Sequence, residues 1–282
     1  MAEAAPQPAA KWGDLGVRVT SSAVLVPAVL LDVWAGGIWF NLFIALLGVL
    51  MAQEWTAICH RQSAAQFALH AAGAMCGALL PPQAGLPAAM LAIAILWALS
   101  AAIAYAEDSN GAAWRYLGVP YVGVPAIALV LLRADTAWGA YAIVWVMLIV
   151  WLADSLAYFS GRIIGGPKLA PVLSPKKTWA GLGGAIAGSA IASTIFAVAA
   201  GLPNLLALAV LAGLLAVVEQ AGDLFKSAMK RHHGVKDSGR LIPGHGGIID
   251  RVDGLVAVAT AAAIAGGLRG GFDATGAGLL LW

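Results

Sequence analysis

Residues 137–160 have the sequence AWGAYAIVWVMLIVWLADSLAYFS. A helix needs about 20 mostly apolar residues to cross the hydrocarbon layer of a membrane, where the backbone must satisfy its own hydrogen bonds. This stretch is long enough, and Asp154, near its end, is its only charged residue. It therefore predicts a membrane-spanning helix that carries one carboxylate close to a membrane surface.

The rest of the chain has the same apolar character. Of its 282 residues, 61% are hydrophobic and 11% are charged, and the mean hydropathy is +0.86. An ordinary soluble domain has roughly 25% charged residues, and so few cannot cover a soluble surface of this size. The net charge of +2 indicates no nucleic-acid partner. The composition excludes a soluble domain and predicts an all-α, polytopic membrane protein.

Apolar runs of suitable length occur nine times along the chain. We predict membrane spans at 18–35, 37–55, 64–80, 86–106, 115–132, 137–160, 179–200, 203–222 and 252–269. Residues 1–16 are expected to form a disordered lead-in, residues 17–135 a set of structural helices, and residues 136–282 the helices that carry the chemistry. The seventh span has four glycines that we expect to allow close helix packing, namely Gly181, Gly183, Gly184 and Gly188.

The positions of the basic residues predict the orientation. With the N-terminus in the cytoplasm and nine spans, 14 of the 16 Lys and Arg residues fall on the cytoplasmic side, and only Arg133 and Arg269 fall outside. Cytoplasmic loops of membrane proteins are enriched in basic residues. Ten of the 14 lie between Arg162 and Arg251, so any chemistry is expected in the C-terminal half.

The densest polar stretch is residues 222–253, GDLFKSAMKRHHGVKDSGRLIPGHGGIIDRVD. Just before it, Glu219 stands four residues from Asp223, so the two share a helical face. Alone, a basic loop is usually an orientation signal, and an aspartate at a helix start is usually an N-cap. Here acidic residues at membrane-helix ends occur together with Lys, Arg and a glycine-rich turn. Placing ionisable groups near the depth of the bilayer costs free energy, so this combination indicates a functional site rather than an orientation signal or a cap.

These residue types suit a nucleoside triphosphate. Asp223 and Asp250 could share Mg²⁺, which prefers a few carboxylates together with substrate phosphates. Lys and Arg neutralise polyphosphate charge. Gly244, Gly246 and Gly247 leave room for backbone N–H groups to approach phosphate, at a helix N-terminus that favours anions.

A second polar block lies between the sixth and seventh spans. Asp154 and Tyr158 share a helical face at the end of the sixth span. The segment Ser174-Pro-Lys-Lys-Thr178 is predicted to cap and start the seventh helix, where it presents two cations and a hydroxyl to an anion.

Both blocks resemble one known family. The run from Ser227 to Asp253 is similar, without gaps, to the signature of phosphatidate cytidylyltransferases, also called CDP-diacylglycerol synthases. The block from Asp154 to Gly181 resembles the other polar block of that family. There are two departures, since Ala180 stands where relatives commonly have Glu and Leu156 where they commonly have Gly.

The resemblance implies that CTP and phosphatidic acid react to give CDP-diacylglycerol and pyrophosphate, with Mg²⁺ as cofactor. It further implies a homodimer in the bacterial inner membrane, with the active site facing the cytoplasm. A second, monovalent cation, the acyl-chain preference and the choice between CTP and dCTP stay open.

The same resemblance, combined with the chemistry of each residue type, predicts the site. Asp223 and Asp250 are expected to bind the metal. The residues expected to act in catalysis are Asp223, Asp250, Lys230, Arg231, Lys236 and Asp237. Those expected to bind substrate are Asp154, Tyr158, Ser174, Lys176, Lys177, Thr178, His245, Gly246, Gly247, Arg251 and Asp253.

Two other functions make distinct predictions for the sequence. A transporter or channel would have polar residues near helix midpoints and symmetry between its halves, and neither is present. A related membrane enzyme that uses CTP on another acceptor, such as a polyprenol kinase, would have a similar phosphate pocket. Product identity separates the two enzymes, because a kinase releases CDP and a cytidylyltransferase releases pyrophosphate.

Overall fold

The computed structural model describes residue 23 and residues 26–108, 113–239 and 246–282. This part of the chain forms ten α-helices and one short hairpin. The helices are α1 (Val26–Ala35), α2 (Gly37–Cys59), α3 (Ala64–Leu79), α4 (Pro81–Glu107), α5 (Gly118–Ala134), α6 (Gly139–Ile163), α7 (Trp179–Ala199), α8 (Leu205–His232), α9 (Ile249–Gly270) and α10 (Thr275–Leu280). The strands are β1 (Lys168–Ala170) and β2 (Ser174–Thr178).

The helices confirm the apolar segments of the sequence. Within the described residues, six helices are long and apolar enough to cross a membrane: α2, α4, α6, α7, α8 and α9. Two shorter apolar helices, α3 and α5, coincide with two of the other predicted spans, and α1 covers residues 26–35 of the span predicted at 18–35. The protein is thus an α-helical membrane protein, whereas the count of nine crossings and the orientation of the N-terminus stay predictions. The lead-in 1–16 lies outside the described residues.

Two groups of helices form the bundle. Helices α2, α3, α4 and α5 pack on one another, as do α6, α7, α8, α9 and α10, and α5 joins the groups through contacts with α9 and α6. The shared core includes the fully buried Trp145 of α6 and Leu208 of α8. Trp145 Nε1 donates to Ser193 Oγ over 2.9 Å, and that hydroxyl donates to the Leu208 carbonyl over 3.1 Å. Three neighbouring helices are therefore tied together by polar contacts inside the apolar core.

Close packing of α6 on α7 depends on small residues, as predicted. A methyl group at Gly184 would overlap the Ser160 hydroxyl, and one at Gly188 would overlap the side chain of Leu156. Gly181 approaches the backbone of Ala157 in the same way. Gly183 faces open space, so the prediction holds for three of the four glycines. The departure at Leu156 is accommodated because Gly188 opposite it has no side chain.

Helix α8 extends ten residues beyond the predicted end of the eighth span. Residues 223–232 contain neither Gly nor Pro, and polar helix formers continue a helix beyond the hydrocarbon layer. The helix stops where Gly234 takes a φ of +69° and Val235 N–H donates to the Lys230 carbonyl over 3.0 Å. This is a common glycine-dependent helix end. The extension keeps Asp223, and the lysines that follow it, on a helix face.

The connection between α6 and α7 contains the hairpin, an addition to the all-α prediction. Strands β1 and β2 pair antiparallel, with Lys168 opposite Thr178 and Ala170 opposite Ser174. Thr178 also caps α7, because its Oγ1 accepts from Gly181 N–H over 3.0 Å. The hairpin therefore holds Lys176 and Lys177 at the start of α7.

Candidate active site

Three aspartates meet around one buried lysine between α8 and α9. Lys226 Nζ lies 2.8 Å from Asp223 Oδ1, 2.5 Å from Asp253 Oδ2 and 3.7 Å from Asp250 Oδ1. Only 7% of Lys226 is exposed. A buried charge must be paired to avoid a large desolvation penalty, and here one ammonium group lies among three carboxylates. We call Asp223, Lys226, Asp250 and Asp253 the aspartate cluster.

Two further lysines contact the cluster from opposite sides. Lys177 Nζ, at the start of α7, lies 2.5 Å from Asp223 Oδ2 and 2.8 Å from the amide oxygen of Gln220. Lys230 Nζ, one turn beyond Lys226 on α8, lies 2.5 Å from Asp250 Oδ1. Three ammonium groups thus neutralise three carboxylates. A cation or a phosphate that binds here can replace one partner in these ion pairs.

A second acidic pair lies next to the cluster. The carboxyl groups of Asp154 on α6 and Glu219 on α8 are within hydrogen-bonding distance of each other, and Gln220 Nε2 donates to Glu219 Oε2 over 2.6 Å. Two carboxyl groups in contact must share either a proton or a cation, because two bare carboxylates repel. This pair therefore adds a second place where positive charge is favoured.

A cavity of about 510 Å³ opens beside these groups, between α6, the hairpin and the start of α7. Four cations line it, Arg162, Lys168, Lys176 and Lys177. Its other polar lining residues are Asp154, Tyr158, Ser174, Thr178 and Gln220. Arg162 Nη1 donates to the Tyr158 hydroxyl over 2.7 Å, which orients both side chains. A cavity of this size, with cations at its wall and carboxylates at its edge, suits a phosphorylated ligand accompanied by a metal ion.

Comparison with known proteins shows the family of this chain. A family model described as "Cytidylyltransferase family" matches residues 16–268. The chain belongs to the cytidylyltransferase family. It is 41% identical over 248 residues to a phosphatidate cytidylyltransferase of Brucella abortus biovar 1 (strain 9-941), which covers 87% of this chain and 91% of the relative.

Two further bacterial proteins of that name also match. The one from Pseudomonas aeruginosa is 35% identical over 250 residues, 85% of this chain and 92% of the relative. The one from Staphylococcus haemolyticus is 42% identical over 149 residues, 52% of this chain and 56% of the relative. This cytidylyltransferase is therefore an enzyme, a nucleotidyltransferase, as the resemblance implied.

The structure brings together most of the residues that the sequence singled out. The aspartate cluster with its flanking lysines contains Asp223, Asp250, Asp253, Lys177 and Lys230, and the cavity wall contains Asp154, Tyr158, Ser174, Lys176 and Thr178. Thr178 has a structural task as the cap of α7. Four residues are exposed and lie outside the cavity wall, Arg231, Lys236, Asp237 and Arg251. His245 lies outside the described residues.

At Gly247 the structure shows why no side chain is present. A side chain at Gly247 would overlap the Ser238 hydroxyl and come within 2.6 Å of Glu54 Oε2, so the protein itself fills the space beside this glycine. Gly246 has a φ of +81°, which favours glycine for a backbone reason. Next to this turn, Asp250 Oδ2 accepts from the backbone N–H and hydroxyl of Ser238 over 2.8 and 3.0 Å.

Sequence reasoning left three site residues of the cytidylyltransferase without a role. The sequence marks Lys226 only as one of the basic residues. Glu54 on α2 accepts hydrogen bonds from the start of α9. Tyr121 on α5 has a buried hydroxyl without a hydrogen-bond partner among the described residues, close enough to the aspartates to interact electrostatically. The available signal was the cost of an ionisable residue inside an apolar span, which applies to Glu54.

The donor set of the cytidylyltransferase fits a hard divalent cation. Three carboxylate groups already surround one positive charge, and oxygen is the ligand that Mg²⁺ prefers. Within the described residues, no three His, Cys, Asp or Glu side chains form a ready-made ligand set. Mg²⁺ usually keeps several waters and phosphate oxygens, so one or two aspartates suffice. Asp223 and Asp250, the two carboxylates that the sequence predicts for a metal ion, both lie beside Lys226.

Proposed function

We propose that this protein transfers the cytidylyl group of CTP to phosphatidic acid, in a Mg²⁺-dependent reaction at the cytoplasmic face of the membrane. The products are CDP-diacylglycerol and pyrophosphate. The observation that carries this proposal is the aspartate cluster on α8 and the start of α9, beside a cation-lined cavity between α6, the hairpin and the start of α7. The curated relatives named phosphatidate cytidylyltransferase support the choice of substrates.

The reaction needs alignment and charge neutralisation more than acid–base chemistry. A phosphate oxygen of phosphatidic acid forms a bond to the α-phosphorus of CTP. The bond from that phosphorus to the bridging oxygen of the β-phosphate breaks, and its electron pair leaves with pyrophosphate. The attacking oxygen is already ionised, so no general base is required. Both substrates are anions, and holding them in line lowers the barrier.

The lysines of the site meet this demand. Lys177 and Lys230 each pair with one of the aspartates proposed to hold Mg²⁺. If those aspartates held Mg²⁺, the two ammonium groups would be free to contact phosphate oxygens. Bound Mg²⁺ would supply further positive charge to the same oxygens. Lys176 and Arg162, on the cavity wall, are placed to hold the remaining phosphates.

The contact between Asp154 and Glu219 supports a site for a shared proton or for the second, monovalent cation that the sequence left open. The homodimer stays a prediction. The bacterial inner membrane is the location that the proposed lipid substrate and the bacterial relatives support.

The decisive test is product identity. Purified protein is incubated with α-labelled CTP, Mg²⁺ and a panel of phosphorylated lipids that includes phosphatidic acid and polyprenyl phosphate. We expect a labelled CDP-lipid and stoichiometric pyrophosphate with phosphatidic acid. Release of labelled CDP, or reaction only with another lipid, would contradict the proposal.

The proposed membrane face is tested by labelling. Pro203→Cys precedes α8 and Lys236→Cys follows it, and both residues are exposed. In a background with Cys59 and Cys76 replaced by Ala, a membrane-impermeant thiol reagent applied to intact cells should label position 203 only. Labelling at position 236 from outside would place the active site on the other face.

A further inference from the structure

Helix α2, in the half of the chain expected to be structural, contributes one buried carboxylate to the active-site region. Glu54 lies five residues before the end of α2 and is 3% exposed. Its Oε1 accepts from Ile248 N–H over 2.7 Å, and its Oε2 accepts from Ile249 N–H over 2.9 Å. A third donor, the Ser238 hydroxyl, lies 2.9 Å from Oε2. These donors offset the cost of burying the carboxylate.

The first two bonds cap helix α9 from a distance. The first N–H groups of a helix have no partner within the helix, and a side-chain oxygen at the N-cap position usually accepts from them. Here the N-cap position is held by Ile248, whose side chain has no oxygen. Glu54 accepts in its place from another helix, and its negative charge lies at the positive end of α9. Asp250 belongs to the first turn of this capped helix.

The third bond connects Glu54 to Asp250. The Ser238 hydroxyl lies 2.9 Å from Glu54 Oε2 and 3.0 Å from Asp250 Oδ2, and the Ser238 backbone N–H also donates to Asp250. The single hydroxyl proton is donated to only one of the two carboxylates at a time, but the backbone N–H bond keeps Ser238 attached to Asp250 in either case. Movement of Glu54 would shift Ser238, and with it one of the two oxygens of Asp250.

The surrounding turn is fitted closely to Glu54. A methyl group at Gly239 would come within 2.5 Å of Glu54 Oε1, and one at Gly247 within 2.6 Å of Oε2. Both glycines belong to the run that resembles the family signature. Their lack of a side chain is needed for a carboxylate that enters from the N-terminal half.

We infer that Glu54 is a positioning residue for the metal-binding aspartate: it caps α9 and, through Ser238, sets the place and orientation of the Asp250 carboxylate. This inference rests on the proposed role of Asp250. Glu54 acts through Ser238 and the start of α9, to which both of its oxygens are bound. It gives the N-terminal helices a task in catalysis, since α2 holds part of the site in place.

The test measures Mg²⁺ dependence in purified variants. Glu54→Gln keeps the size of the side chain but places an NH₂ group against N–H donors. Loss of a group that orients a metal ligand typically costs 10–100-fold in metal affinity. We expect the Mg²⁺ concentration for half-maximal rate to rise by about 10–100-fold. The Mg²⁺ concentration needed to raise the melting temperature without CTP should rise in parallel. Glu54→Asp should recover part of this loss.

A matched control separates positioning from stability. Gln66 on α3 is also fully buried, and its side chain makes two hydrogen bonds with Ser100, over 3.0 and 2.6 Å. Gln66→Met should lower the melting temperature yet leave the Mg²⁺ dependence unchanged. If Glu54→Gln lowers the melting temperature with wild-type Mg²⁺ dependence, the inference is overturned.

Ser238→Ala is a second test of the role of Glu54. It leaves the cap of α9 intact and removes only the connecting hydroxyl, so we expect a smaller rise in the Mg²⁺ requirement. If Glu54→Gln does not fold, unchanged Mg²⁺ dependence in Ser238→Ala overturns the inference. Absence of a CDP-lipid product from the wild type would reject the proposed reaction, whereas the Mg²⁺ melting series would still decide the role of Glu54.

Discussion

Helices α1–α5 and helices α6–α10 bury polar side chains of different kinds. In the first group, Gln66 and Ser100 pair through neutral hydrogen bonds, and His70 contacts the Gln66 carbonyl over 2.6 Å. In the second group, Lys226 and the aspartates around it form a charged cluster that adjoins a cavity.

Neutral pairs that satisfy each other can hold helices together, but they offer nothing to an ionic ligand. Charged groups balanced among several partners can exchange those partners for a metal ion or a phosphate. The comparison indicates that buried charge, rather than buried polarity in general, marks the functional half of this membrane protein. Glu54 is the exception in the first group, and its bonds lead directly to the second.

The largest effect should come from Asp250. Asp250→Asn removes the charge that pairs with Lys230, while a side chain of the same shape remains. We expect the rate of CDP-lipid formation to fall by about 1000-fold, the upper range for loss of one electrostatic contact to a transition state. Asp273→Asn, an exposed change near the C-terminus, is the control and should be fully active. Substantial Mg²⁺-dependent turnover by Asp250→Asn would remove Asp250 from the metal site.

Substitution of Lys226 tests whether the charges of the aspartate cluster stabilise one another. Lys226→Met leaves three aspartates without their shared ammonium group, and breaking a buried ion pair typically costs about 3–5 kcal/mol. We expect a large fall in melting temperature in EDTA. Added Mg²⁺ should recover more stability in this variant than in the wild type, because a cation replaces the lost charge. Equal stabilisation of both proteins by Mg²⁺ would argue against a cation site among these aspartates.

Substitution of two adjacent lysines compares the aspartate cluster with the cavity wall. Lys177 is paired with Asp223, whereas Lys176 is exposed on the cavity wall. We expect Lys177→Met to lower kcat/KM for CTP by about 100-fold and Lys176→Met by about 10-fold, since the more desolvated charge contributes more. Steady-state kinetics with CTP varied will measure both. Equal losses would mean that the two lysines serve the phosphates alike.

The smallest effect on catalysis is expected in the first group of helices. Ser100→Ala leaves the side-chain oxygen of Gln66 without its donor, which should lower the free energy of unfolding by about 1–3 kcal/mol. The KM for CTP and the Mg²⁺ dependence should stay at wild-type values. A changed Mg²⁺ dependence would mean that neutral pairs also communicate with the site, which would weaken the distinction between the two groups.

Hydropathy alone predicted the membrane class and the position of every long apolar helix, because crossing a bilayer is a local requirement on about 20 consecutive residues. The polar run of residues 222–253 likewise predicted Asp223 and Asp250 as site residues. Both follow from local structure, because Asp223 shares a helical face with Glu219, four residues before it, and Asp250 stands at the start of a helix. The predicted eighth span ends at residue 222, whereas α8 continues to His232, because a fall in hydropathy marks the membrane surface and not the end of a helix.

Pairing between distant helices follows no local pattern. Glu54 stands 194 residues before Ile248, and its position in an apolar span shows only that its burial is expensive. In the sequence, Lys226 is one basic residue among several near a predicted membrane surface. Its three aspartate partners follow only from the packing of α9 against α8. The amino-acid order was thus enough for the class of protein, the helices and the chemical type of the site. Which carboxylate meets which ammonium or N–H group depended on how the helices pack, because such bonds form between residues that only folding brings within 3 Å.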